Sequence, residues 1–137
     1  ENIVLEVELP SGKRNFEGDV VLVAIGRRPY TKDLNLDAAG IAVDKRGMIP
    51  VNKRFQTAQP SIYAIGDVID GPMLAHKAFR EGMVAAEIIA GQNPKLNYMS
   101  IPNVIYTSPE AASVGLTEQE ARELKLDIHI GTSYFRG

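Results

Sequence analysis

Two apolar stretches, Val23-Ala24-Ile25-Gly26 and Tyr63-Ala64-Ile65-Gly66, end in the same Ala-Ile-Gly, and each runs straight into side chains able to grip a polar ligand. After the first come Arg27 and Arg28; after the second comes Asp67. A carboxylate accepts hydrogen bonds from sugar or ribityl hydroxyls, whereas a guanidinium suits phosphate-bearing groups. Ligands of open α/β sheets bind outside the carboxyl ends of strands, where a glycine removes the Cβ that would hold the backbone away from a cofactor. Each motif also has an ordinary structural use, since Ala-Ile-Gly is a common exit from a buried strand and Gly-Asp a common turn.

Context separates the second motif from that background. Asp67 is followed by Val68-Ile69-Asp70-Gly71-Pro72 and then Met73-Leu74-Ala75-His76-Lys77-Ala78, a loop that opens a helix whose first turn points back to the strand end. Such a turn leaves backbone donors free and carries roughly half a unit of positive charge, which favours an anionic partner. A reduced flavin is such a partner: its pyrimidine edge gathers negative charge that amides of Met73, Leu74, Ala75 and His76 can stabilise while Asp67 holds the ribityl chain. As side chains, Met73 and Leu74 read as core packing and His76 as a helix-start residue with a solvent or capping role. Two related nucleotide-binding folds holding different cofactors is the economical reading of the repeat.

The totals exclude several other chemistries. The chain has 137 residues, 45% hydrophobic and 23% charged, with a formal net charge of -2 and a pI near 5.7. Its lysines and arginines are scattered, so no nucleic-acid footprint stands out. No apolar run approaches the roughly 20 residues of a membrane span, and Glu1-Asn2-Ile3 carries no signal-peptide pattern. With no cysteine and two histidines, His76 and His129, these residues hold no thiolate metal site, disulfide or cysteine nucleophile. No catalytic residue and no metal ligand is expected among them.

The elements that must position the site follow from pattern. Ile3 to Leu9, the turn cluster Pro10-Ser11-Gly12-Lys13 and Arg14 to Phe16 read as a β-hairpin. Asp19 to Gly26 is a continuous apolar run suited to a central strand of a parallel sheet. Leu34 to Ile41 reads as a short helical piece closing at Gly40, Gly47 to Val51 as a short extended one, and Ile62 to Ile65 as a second strand. A helix from Met73 to Ala90 ends at Gly91 and Pro94, with Ala75, Ala78, Phe79, Gly82, Ala86 and Ile89 on its packing stripe. Lys77, Arg80, Glu81 and Glu87 fall largely off that stripe, whose small residues permit close approach. Gln92-Asn93-Pro94-Lys95 reads as a linker, with a boundary near Tyr98. Beyond it come strands at Val104 to Tyr106 and Ala111 to Val114, a capping box at Thr117 to Glu120, a helix through Leu124 and a strand from Ile128 to Phe135. This last αβ unit is expected to continue past Gly137.

These residues carry a family resemblance. Tyr63-Ala64-Ile65-Gly66-Asp67 resembles the second flavin signature of the two-dinucleotide-fold, FAD-dependent pyridine nucleotide-disulfide oxidoreductases. Gly71 to Ala78 is similar to the version in the dihydrolipoamide dehydrogenase branch, where glutathione-reductase-like members have Leu-Thr-Pro-Val. Ala24 to Pro29 resembles the end of the family's NAD domain, and Ile105 to Glu110 with Val114-Gly115 the opening of its dimerisation domain. Phe79-Arg80 departs from an acidic pair often found there.

The resemblance implies an α/β chain comprising the C-terminal strands of an NAD-binding domain (1–30), the C-terminal part of an FAD-binding domain (31–97), both Rossmann-like, and the beginning of an α+β dimerisation domain (98–137). It implies that Gly26 lies against NAD, that Gly66 and Asp67 serve the FAD ribityl group, and that Met73, Leu74, Ala75 and His76 touch flavin through backbone. It further implies a homodimeric oxidoreductase that reoxidises dihydrolipoyl groups of 2-oxo acid dehydrogenase complexes, in a bacterial cytoplasm or mitochondrial matrix. The family's first glycine fingerprints, redox cysteine pair and His-Glu acid/base pair have no counterpart here, so the isolated fragment is expected to be inactive. A mercuric or mycothiol-type reductase of the same family, and a cofactor-free oligomerisation module built on Ser100 to Arg136, are the alternatives.

Overall fold

The computed structural model describes residues 2–135; Glu1, Arg136 and Gly137, the outermost residues of the first and last expected units, lie outside the described residues. The hairpin forms as expected. Strands β1 (Ile3–Leu9) and β2 (Gly12–Gly18) pair antiparallel from Ile3 opposite Gly18 to Leu9 opposite Gly12. Pro10 and Ser11 make the turn, so β2 starts two residues earlier than the pattern of Arg14 to Phe16 suggests. An ion pair of 2.7 Å links Lys13 Nζ to Glu6 Oε1, and the Arg14 guanidinium lies 5.4 Å from the Phe16 ring centre. The ribbon is almost wholly exposed.

Asp19 to Gly26 does not form the expected central strand. The segment is irregular, and Val20, Leu22 and Ile25 are 84%, 86% and 90% exposed. A central strand of a parallel sheet exists only through hydrogen bonds to neighbours on both sides, and no described segment pairs with it. The same reason removes the strand expected at Ile128 to Phe135. Ile62 to Ile65 is reduced to one antiparallel bridge, Tyr63 opposite Gln56, flanked by the hydrogen bonds Thr57 N to Ile62 O and Ala64 N to Phe55 O.

The core sits between these extended pieces and one helix, α1 (Ala75–Ile89). Ile41, Ile49, Phe55, Ala64, Ile69, Val84, Ala85 and Ile88 form a single buried cluster. The short helical turn expected near Gly40 is Leu36–Ala39, and Gly47 to Val51 is tied in by a hydrogen bond from Ile49 N to Val68 O. Helix α1 ends as its sequence requires. Gly91, at φ 84°, donates to Ile88 O and Gln92 N donates to Glu87 O, the paired closure for which a left-handed glycine is suited.

Which face α1 buries differs from expectation. Lys77, Glu81, Val84, Ala85 and Ile88 are buried, at spacings i, i+4, i+7, i+8 and i+11. Phe79 and Ile89, expected on the packing stripe, are 76% and 64% exposed, and Ala75 and Ala86 are exposed too. Ala78 and Gly82 do make the expected close approach: a Cβ on Gly82 would stand 3.3 Å from Ile65 Cδ1. The helix therefore has two apolar faces, and only one of them meets a partner among the described residues.

After α1, a turn at Tyr98–Ser100 leads into the antiparallel pair β3 (Asn103–Ile105) and β4 (Ala111–Ser113) and helix α2 (Glu118–Glu123). The capping box is present: Glu120 N donates to Thr117 Oγ1, and Thr117 N donates to Glu120 Oε2. The Thr117 amide, and after it the Thr117 hydroxyl, donate to the Glu120 carboxyl and hold it below its ordinary value. No described helix is long and apolar enough to cross a membrane.

Candidate functional site

Gly66 begins a single 3-10 turn, Gly66–Val68, at φ 74°, in the left-handed region that favours glycine. A Cβ at this position would lie 3.3 Å from the Ala78 Cβ, so the backbone of the turn comes close to the Ala78 methyl of α1. That contact holds the residue before Asp67 against the helix.

The turn is clamped by two charges that have no exposure to solvent. Lys77 and Glu81 are both 0% exposed, with Lys77 Nζ 3.3 Å from Glu81 Oε1. The Gly66 amide donates to Glu81 Oε2 at 2.7 Å, and Lys77 Nζ donates to the Gly66 carbonyl at 2.9 Å. The two peptide units that meet at Gly66 are thus each held, one by its amide and the other by its carbonyl, by an ion pair one helical turn long. The Tyr98 hydroxyl completes the set by donating to Glu81 Oε1 at 2.7 Å. No buried side-chain polar atom of the described residues lacks a partner. An isolated buried charge costs several kcal/mol, whereas a pair with its remaining sites hydrogen-bonded is tolerated. Burial of the hydroxyl, then its hydrogen bond to Glu81, then the charge of that carboxylate push the Tyr98 phenol above its ordinary value.

Neither Lys77 nor Glu81 stands out as a site residue when charge is read as a sign of exposure. The signal that marks them is register: they continue the face of Val84, Ala85 and Ile88 towards the helix start, with opposite charges at i and i+4. Tyr98 carries no such mark, because its partner is set by folding across the linker.

The residues expected to bind cofactor are placed as follows. Gly66 is buried, Asp67 partly exposed, Met73, Leu74 and His76 half-buried, and Ala75 exposed. Gly26 is exposed, with nothing within 4 Å of where its Cβ would stand. The two Ala-Ile-Gly ends meet: Arg27 Nε lies 3.7 Å from Asp67 Oδ2, a loose and exposed pair worth little in stability. Leu74 is the N-cap of α1 in an extended conformation and no side chain caps the helix, so its first-turn amides are open to an outside acceptor. His76 Nε2 is 2.6 Å from the Pro102 carbonyl, a structural contact to the segment before β3. A groove of about 860 Å³ lies elsewhere, bordered by Met48, Phe55, Val84, Leu96 and Tyr98. Neither it nor two smaller hollows is lined by Gly66, Asp67 or Met73 to His76.

This arrangement can accept hydrogen bonds from hydroxyls at Asp67 and donate them from the α1 start. It contains no thiol or other redox group.

Known proteins share this pattern. Residues 1–82 match the family model described as pyridine nucleotide-disulphide oxidoreductase, and residues 101–137 match the dimerisation domain of the same family. The chain is similar to dihydrolipoyl dehydrogenase of Manduca sexta, 55% identical over 123 residues, covering 90% of this chain and 25% of that protein. Similarity to the enzyme of that name from Thermus scotoductus is 48% over 130 residues, covering 95% and 28%; to the human mitochondrial one it is 54% over 113 residues, covering 82% and 22%. The chain thus spans about a quarter of the length of these curated relatives. Among solved structures, LpdA of Mycobacterium tuberculosis superposes with a TM-score of 0.77 at 28% identity, over 86% of this chain and 26% of that one. The HOCl-induced flavoprotein disulfide reductase RclA of Escherichia coli gives 0.73 at 31%, over 80% and 26%.

Two outcomes test the clamp. Lys77→Met leaves Glu81 buried without its cation and is expected to cost about 3–5 kcal/mol in chemical unfolding. Lys77→Met with Glu81→Leu is expected to cost less than the two single changes summed; additivity would show that the charges do not interact. In a spectrophotometric alkaline titration, one of the five tyrosines resists ionisation, and Tyr98→Phe abolishes that late component. Because the folded-state value is raised, the stability that Tyr98 contributes is fully present below about pH 10 and is lost as the pH climbs through the raised value.

Proposed function

The chain belongs to the pyridine nucleotide-disulphide oxidoreductase family, and from that premise we propose that it is a segment of a longer dihydrolipoyl dehydrogenase in which it provides cofactor grip rather than redox chemistry. The observation that carries this reading is the clamped Gly66 turn, which leads directly into Asp67 and packs against Ala78 of α1, a helix whose start no side chain caps. In the full-length protein Asp67 accepts hydrogen bonds from the ribityl hydroxyls of FAD, and backbone of Met73, Leu74, Ala75 and His76 borders the flavin ring. The open start of α1 places positive potential at the ring edge where negative charge develops on reduction. Gly26, lacking a Cβ and with free space before it, lets the backbone lie against NAD. When bound, FAD supplies the two-electron link between a redox disulfide and NAD, so that dihydrolipoyl groups are returned to lipoyl.

This reading divides the chain into the last strands of an NAD-binding domain (1–30), the last part of an FAD-binding domain (31–97) and the start of the dimerisation domain (98–137). The match of residues 101–137 to the family's dimerisation domain supports a homodimer. The exposed second face of α1 and the unpaired run Val20 to Ile25 are the surfaces that neighbouring parts of the full-length protein would cover. The lipoyl-bearing subunits of 2-oxo acid dehydrogenase complexes are the proposed partners. Relatives occur both in mitochondria and in bacteria, which supports a matrix or bacterial cytoplasmic setting.

Asp67→Ala in the full-length protein tests the reading. Loss of charge-assisted hydrogen bonds is expected to raise the FAD dissociation constant by about tenfold to a hundredfold, with the fold retained. Flavin held as tightly by the variant as by the wild type would overturn it.

A further inference from the structure

The buried Lys77–Glu81 pair has no part in the contacts proposed above, yet its hydrogen bonds end on the one residue that sets their geometry. Glu81 Oε2 accepts from the Gly66 amide and Lys77 Nζ donates to the Gly66 carbonyl, at 2.7 and 2.9 Å. Gly66 immediately precedes Asp67, and its φ of 74° determines where the chain goes next. A rotation about the Gly66 backbone would break one or both bonds and redirect Asp67, the next residue of the chain. Hydrophobic residues of similar volume would fill the same space without this constraint, often at no loss of stability. The pair therefore supplies something that packing alone would not.

We propose that Glu81, with Lys77 and Tyr98 as its supports, is a positioning residue for the flavin: it fixes the Gly66 peptide so that Asp67 and the α1 amides face one ligand together. The inference rests on the flavin reading of this site. Tyr98 enters because its hydroxyl holds Glu81 Oε1, leaving Oε2 directed at the Gly66 amide. Tyr98 also lies just before the residues that match the dimerisation domain, so the clamp joins the cofactor turn to the base of that unit.

Two double variants of the full-length protein isolate the hydrogen bond from the charges. Lys77→Met with Glu81→Gln removes both charges but leaves an acceptor for the Gly66 amide; Lys77→Met with Glu81→Leu removes the acceptor as well. Val84→Ala is the control, since it weakens the same helix face without touching Gly66. FAD is titrated into each apoprotein, with visible circular dichroism of the bound flavin as a second readout. The Gln variant is expected to hold FAD within about threefold of wild type. The Leu variant is expected to hold it about ten- to thirtyfold more weakly with an altered flavin spectrum, the scale of one lost charge-assisted bond. Val84→Ala is expected to change the melting temperature but neither readout.

Equal FAD affinity and spectra in the Gln and Leu variants, or flavin loss that follows melting temperature across all three, would overturn the inference. If the Leu variant does not fold, Tyr98→Phe decides: about threefold weaker FAD with a changed flavin spectrum supports the inference, and an unchanged affinity refutes it. Failure of the wild-type apoprotein to bind FAD at all would instead refute the flavin reading.

Discussion

Two opposite charges removed from water must satisfy each other and every remaining hydrogen-bonding site nearby, and that requirement organises this chain. Lys77 and Glu81 meet it only if the Gly66 peptide presents its carbonyl to one and its amide to the other. Helix α1, the end of the Tyr63 to Ile65 segment and the turn into Asp67 are thereby locked in one relation. The apolar cluster around Ile41, Phe55, Ile69 and Val84 contributes most of the burial, but it is non-directional and would tolerate a shifted turn. The polar clamp is specific where the core is not.

The consequences extend in two directions. Towards the start of α1, no side chain caps the helix, and Asp67, directly after the clamped Gly66, remains partly exposed. Towards the end of the chain, Tyr98 and the contact of His76 with Pro102 attach the segment that precedes β3 to the same helix. The Gly66 turn and the segment leading into the residues that match the dimerisation domain thus share one helix. Arg27 near Asp67 brings the first Ala-Ile-Gly end to the second, so that both glycine-ended motifs border one region.

Local features were legible in the sequence because local interactions create them. The hairpin, the turn closing at Gly40, the end of α1 at Gly91 and the Thr117 capping box depend on residues within a few positions of one another. Asp19 to Gly26 and Ile128 to Phe135 have the composition of strands, but strand pairing requires distant partners that no described residue supplies. The error over the buried face of α1 has a different origin. Lys77 and Glu81 fall largely off the small-residue stripe in the sequence, and their mutual pairing and bonds to Gly66 are what allow them to be buried. The small-residue stripe was right at Ala78 and Gly82, where backbone approaches closely, and wrong at Phe79 and Ile89, which have no partner among the described residues.

The family resemblance rests on Tyr63 to Asp67 and Gly71 to Ala78, which contain Gly66 and Lys77 of the clamp, while Glu81 and Tyr98 lie outside both segments. The most direct test of the account is a crystal structure of the full-length protein with FAD bound. The account predicts the ribityl chain within hydrogen-bond distance, about 3 Å, of the Asp67 carboxylate, the flavin ring at the Met73 to His76 backbone, and the Glu81 and Lys77 bonds to Gly66 intact. A flavin seated elsewhere, or a Gly66 peptide turned away from Glu81 when the cofactor is in place, would contradict it.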